Sequence, residues 1–144
     1  MRKIAAFLIF LIFCLGVSAY AETADATLLQ ILADPVKYHH KVVRVAGYLH
    51  LKPYDDALYL HEEDYTHALY GNAIWVDVTD DMRNHEKKLS DQYVVLEGFF
   101  DAEKRGSMGA FTGTIRKIMR CETWSSDSIP ANKRPDVTST SGDN

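Results

Sequence analysis

The stretch His61-Glu62-Glu63-Asp64-Tyr65-Thr66-His67 gathers two histidines and three carboxylates in seven residues. Imidazole and carboxylate together suit zinc or another divalent transition metal. A zinc-protease site needs H-E-x-x-H on a helix, with both imidazoles on one face. Here the histidines are six apart, which on a helix turns them to different sides. That chemistry is rejected. An extended chain would instead put His61, Glu63, Tyr65 and His67 on one side. Straight strands spread such alternate residues by nearly 7 Å. A metal site on His61, Glu63 and His67 therefore requires a curled loop, with His39, His40 or His50 as further donors. The plainer expectation is a solvated charged loop.

Other reaction chemistries fail on spacing. There is no G-x-S-x-G elbow for a serine nucleophile. "GSMGAFTG", residues 106–113, lacks the spacing of a phosphate-binding glycine loop and lies in a hairpin, not between a strand and a helix. Asp55, Asp56, Asp77, Asp80 and Asp81 offer carboxylate pairs, but any acidic surface does.

A third arrangement is an aromatic face. Tyr48, Tyr59 and Trp75 fall at outward positions of three β segments, with Arg44, His50 and His61 beside them. Exposed rings flanked by polar groups make a stacking surface for a ligand. The competing expectation is that the first helix or the C-terminal tail covers them.

The elements that must position these residues follow from periodicity. Asp25 to Pro35 reads as a short helix capped by Asp25, with Leu28, Leu29, Ile31 and Leu32 as its apolar stripe. "PVKYHHK" predicts a turn or single helical turn. Lys41–Leu51 alternates, with Val43, Val45, Leu49 and Leu51 on one face. Ala57–Glu63 predicts a second strand and Asn72–Val78 a third. Thr79–Asp91 is a polar insert with room for a short helix capped by Thr79 or Asp80. Gln92–Asp101 and Ala110–Trp124 complete five strands. The last shifts its apolar phase between Ile115 and Ile118, which predicts a bulge. Gly47, Gly98 and Gly113 lie within strands, where glycine marks a bend or a close approach. The order predicts a mainly β fold with an N-terminal helix, a five-stranded Greek-key barrel of the OB type. An open antiparallel sheet packed on the helix is the alternative.

The ends of the sequence point to export. Arg2 and Lys3 precede a run of about 14 apolar residues, and Ser18-Ala19-Tyr20-Ala21 has the small-x-small pattern of signal cleavage. The run is short for a membrane span, which needs roughly 20 residues. The expectation is a signal peptide over 1–21, cleaved after Ala21, and a periplasmic or secreted domain over 22–124. Residues 125–144, rich in Ser, Thr, Pro, Asn and Asp, predict a disordered polar tail. After cleavage 14 basic side chains face 20 acidic ones. That balance argues against nucleic acid, whose phosphates call for a basic surface. Cys121 would be the one thiol left, so no internal disulfide is available.

"ILADPVKYHHKVVRVAGYLHL", "ALYLHEEDY", "NAIWVDV" and "YVVLEGFFDAEKRGSMGAFTGTIRKI" together resemble a family of small exported bacterial proteins with an OB-like pattern. The resemblance spans about Leu28 to Trp124. It implies a binding module and assigns no activity. His39-His40 departs from it, standing where a polar residue and a glycine are expected, which puts a tight turn there in question. These readings combine into one expectation. The chain is a non-enzymatic cell-envelope binding module for a protein partner or a glycan, its ligand face formed by Tyr48, Tyr59 and Trp75 with His50 and His61 at the rim. A metal-binding protein or metallohydrolase using His61, Glu63 and His67 is the alternative.

Overall fold

The computed structural model describes residues Glu22–Ser125. The expected signal peptide and, Ser125 apart, the polar tail lie outside the described residues.

Six strands and five short α-helices follow one another: β1 (Ala24–Asp25), α1 (Leu28–Ala33), α2 (Pro35–Tyr38), β2 (Val42–His50), β3 (Ala57–Tyr59), α3 (Glu62–Thr66), β4 (Ala73–Val76), α4 (Asp80–Asn84), α5 (Glu86–Leu89), β5 (Gln92–Asp101) and β6 (Thr114–Thr123). The sheet runs β1-β2-β3-β4-β6-β5, and β5 pairs again with β2. Five strands thus close into a mixed barrel of OB-like form, and β1 is an added stub. The open-sheet alternative falls on the β2–β5 ladder, which runs unbroken from Val42↔Phe99 to Leu49↔Gln92. The sheet is also not wholly antiparallel, because β4 and β6 pair in parallel.

Strand alternation sorts the core as the period of two predicts. Val43, Val45, Leu49, Leu58, Ile74, Val76, Leu96 and Ile115 are all buried inside. α1 adds Leu28 and Ile31, and α4 and α5 add Met82 and Leu89. The α1 stripe is narrower than expected, since Leu29 is 61% exposed. Its cap is Thr27 in place of Asp25. Thr27 accepts from the Gln30 N–H at 3.2 Å, and the Gln30 side chain accepts from the Thr27 N–H at 3.0 Å. Asp25 is not free for that role because its backbone is committed to β1. Pro35 opens α2 as its first helical residue, where its missing N–H loses nothing. The turn after α2 survives the histidine pair. His40 takes φ +62°, the left-handed value a glycine adopts freely, and the Lys41 N–H donates to the Tyr38 carbonyl at 3.1 Å.

β3 stops at Tyr59, short of the Glu63 expected from alternation, because the chain turns into α3. β6 bulges where its phase changes. Its register steps between Glu97 and Phe99 on β5, and Lys117 takes φ +51°.

Gly47 sits one residue before β2 begins its ladder with β3. A Cβ there would lie 2.7 Å from the Tyr59 carbonyl oxygen and 2.9 Å from Leu58. A backbone carbonyl in a barrel cannot retreat as a flexible side chain can. Gly47→Ala is expected to destabilise the fold by about 1–3 kcal/mol, the usual range for overpacking. Urea unfolding followed by circular dichroism would show the lowered midpoint, and an unchanged midpoint would refute the close approach.

Candidate functional site

The stretch His61–His67 is a helical turn. Its chain leaves β3 at Leu60, whose N–H still donates to the Asn72 carbonyl at 3.0 Å. His61 is extended, and α3 begins at Glu62. Asp64 is the residue that fixes the turn. One carboxylate oxygen accepts from the His61 N–H at 2.9 Å, and the other accepts from the Asn72 side chain at 2.7 Å. Its own carbonyl accepts from the Leu69 N–H at 2.8 Å. Three acidic residues in the first turn also suit the positive end of the peptide dipoles. His67 closes the turn by donating from Nδ1 to the Glu63 carbonyl at 2.8 Å.

The helical turn corrects the expected metal set. His61 and His67 stand at opposite ends of α3, both exposed, and their donor atoms do not converge with Glu63. Among the described residues the one convergent trio is His39, Asp101 and Glu103, within 4.8 Å. The lone pairs of His39 Nδ1 and Asp101 are already used. His39 Nδ1 accepts from the Ala102 N–H at 3.1 Å, and Asp101 accepts from the N–H groups of Glu103 and Lys104. Arg116 pairs with the second Asp101 oxygen at 3.0 Å. Burial alone would raise the Asp101 carboxyl. The two N–H groups, Arg116 and His39 outweigh that and hold it below the ordinary carboxylate value. This donor set pins the loop after β5 and already holds a cation in Arg116.

The expected stacking face is not open. Tyr48 is 6% exposed and Tyr59 is fully buried. Among the described residues α3, and not the first helix, covers them. Tyr65 stacks on His50 with ring centroids 3.9 Å apart, and lies 6.1 Å from Tyr48 and 5.5 Å from Tyr59. Tyr93 closes edge-on against Tyr48 at 5.6 Å. His50 is buried too, with Nδ1 2.6 Å from Asp91. Burial pushes the Tyr48 phenol up to about 12. Burial raises Tyr59 as well, and its O–H donates to Asp55 at 3.0 Å. Trp75 is half-buried under the loop between β5 and β6. Phe111 meets it edge-on at 5.3 Å, and a Cβ on Gly106 would strike the indole at 2.7 Å. Of the five expected ligand residues only His61 is exposed. Alternation correctly sends these rings out of the barrel, but two loops of the same chain fill the outer face.

The open concavity lies beside that face. β1 and β3 share one edge of β2, β1 at Val43–Arg44 and β3 at Tyr48–His50. Both strands leave before they meet, β1 into α1 and β3 into α3. Between them Val45, Ala46 and Gly47 form the floor of a groove of about 870 Å³. Its walls are Leu28, Leu29, Leu60, His61, Val95 and Tyr93, with Trp124 at the rim. Leu29, Tyr93 and Trp124 are each more than two-fifths exposed. The Arg44–Glu97 ion pair at 3.1 Å lies at one end. The Arg44 carbonyl already accepts from Ala26 on this edge. Strand alternation therefore turns the Ala46 N–H and carbonyl to the same edge, facing the groove. Sequence reading missed Leu29, Tyr93 and Trp124. The one signal was an α1 stripe wider than six residues could bury.

Cys121 offers no chemistry here. It packs against the core, and burial, then Glu122 and Asp81, push its thiol up to about 11. Among the described residues no helix is long and apolar enough to cross a membrane. The chain matches no family model, and neither the curated proteins nor the solved structures returned a match.

Two substitutions test this geometry. Asp64→Ala strands the His61 N–H and the Asn72 amide and is expected to cost about 1–3 kcal/mol. Tyr65 should loosen with it, seen as faster hydrogen exchange at Tyr48 and His50. Unchanged exchange would place the hold on α3 elsewhere. Asp101→Asn should be destabilised by a similar amount at pH 7. The folded carboxyl titrates below its unfolded value, so its stabilisation is full above about pH 4 and fades as pH falls through the lower folded value. Wild type and variant should therefore converge in urea midpoint near pH 2, and a constant gap would disprove the role of charge.

Proposed function

We propose that this chain is a non-enzymatic OB-like binding module of the bacterial cell envelope. It takes a short extended apolar stretch of a protein partner in the groove beside α1. One observation carries this reading. The face that OB barrels use for ligands is filled by Tyr65 and Phe111, while the neighbouring groove keeps Leu29, Tyr93 and Trp124 exposed around an open strand edge.

The lining favours a peptide over a glycan. Sugars carry hydroxyls that need partners on every side when taken out of water. The exposed surface of the groove is chiefly aliphatic and aromatic carbon, and its polar lining is limited to Asp25, Thr27, Gln30, Arg44 and His61. An extended peptide satisfies its backbone against the Ala46 edge and sets its apolar side chains on Leu29 and Trp124, as in strand addition. Leader-like residues 1–21 and the resemblance to small exported proteins support the envelope location. The acidic balance speaks against nucleic acid. A metallohydrolase built on His61, Glu63 and His67 gains nothing from the donor geometry.

A photocrosslinking residue at Leu29, expressed in a bacterial host of the same envelope type, tests the reading. A discrete protein adduct is expected there and not from the same residue at Val36, which is 77% exposed on α2. Trp124→Ala should cut the adduct about tenfold, the effect of removing an aromatic anchor. Adducts carrying only glycan mass would replace the protein partner by a glycan. Equal labelling from both positions would end the proposal.

A further inference from the structure

The groove has a candidate occupant within the same chain. β6 delivers the backbone to its rim. The Trp124 N–H donates to the Tyr93 carbonyl at 2.7 Å, and both side chains line the groove. Residues 126–144 follow directly. Their two large aliphatic residues are Ile129 and Val137. Ile129 lies four residues past Ser125, a reach of up to about 14 Å in extended chain. It stands beside Pro130, which favours that extended form.

We propose that residues Asp127–Asn132 dock in the groove with Ile129 on Leu29 and the Ala46 edge, and compete there with the partner. Two features favour this occupant over a second copy of the chain. The tether is only a few residues long, and a short tether holds its end at an effective concentration on the order of millimolar. A modest apolar contact then suffices, whereas a second copy must reach that concentration in solution. The site also has the form such a segment needs, an apolar floor beside an unpaired strand edge. The proposal rests on the groove being a peptide site, as argued above.

The full chain carrying the photocrosslinker at Leu29 is purified and irradiated when dilute. Peptide mapping is expected to show an intramolecular crosslink to Asp127–Lys133, reduced at least fivefold by Ile129→Asp. Trypsin supplies a second reading on the unlabelled full chain. Cleavage after Lys133 should be about tenfold faster in Ile129→Asp than in wild type. The same substitution should raise partner adducts at Leu29 in cells. Equal trypsin rates and no crosslink to residues 127–133 would overturn tail docking, and persistence of the partner adduct would leave the peptide site standing. Loss of both adducts would remove the peptide site itself. Crosslinks between copies, rising with protein concentration, would also overturn tail docking, in favour of self-association.

Discussion

The molecule depends on the close approach of β2 to β3 at Gly47, one residue before their ladder begins at Tyr48↔Tyr59. β2 is the one strand that pairs with three others. At Gly47 its backbone lies against the Tyr59 carbonyl, at a distance that excludes even a methyl group. Before this point β2 holds β1, and after it β2 holds β3. The opposite edge stays with β5 throughout. The gap that becomes the groove is the stretch of β2 between those two partners, and closure of the barrel is the work of the β5 edge.

The outer face shows how a barrel of this size handles surplus aromatic surface. Tyr48, Tyr59 and Trp75 leave the barrel wall on the side away from the core. Left bare they would form a continuous apolar patch, and such patches invite association. The protein answers with its own rings. Tyr65 is carried there by a five-residue helix that Asp64 fixes, and Phe111 by a loop that Gly106 lays flat on the indole. The result is a second small core outside the barrel. Among the described residues the groove beside α1 has no such cover, and Tyr93 and Trp124 stay exposed along it.

Most of the fold was legible in the sequence because alternation is a local property. β5 was bounded correctly at Gln92 and Asp101, and the bulge in β6 followed from its change of phase. The Thr79 cap was also readable, and it accepts from the Met82 N–H at 3.2 Å. The site was less legible. Alternation assigns a side chain to a face but cannot tell whether that face meets water or another loop, so it leaves Tyr48 and Tyr59 undecided between open and covered. Residues 61–67 misled for a related reason. Their charges suggested a metal, whereas the decisive contact was Asp64 to the amide of Asn72, eight residues on. The groove could not be read at all, because it is a gap between strands and no residue pattern marks where two strands part.

The ladder that closes the barrel also sets an order of events. It joins Val42 to Phe99 and Leu49 to Gln92, so β2 must wait for almost the whole domain to emerge before its second edge is satisfied. The β2–β3 and β5–β6 hairpins can each form early from neighbouring sequence. Their union must carry the loop entropy of everything between them, which makes it the slow step of folding. Until then β2 presents a long apolar strand with a bare edge, the form most prone to pair with the wrong chain. Val42–His50 therefore keeps one edge bare until residues 92–99 are in place.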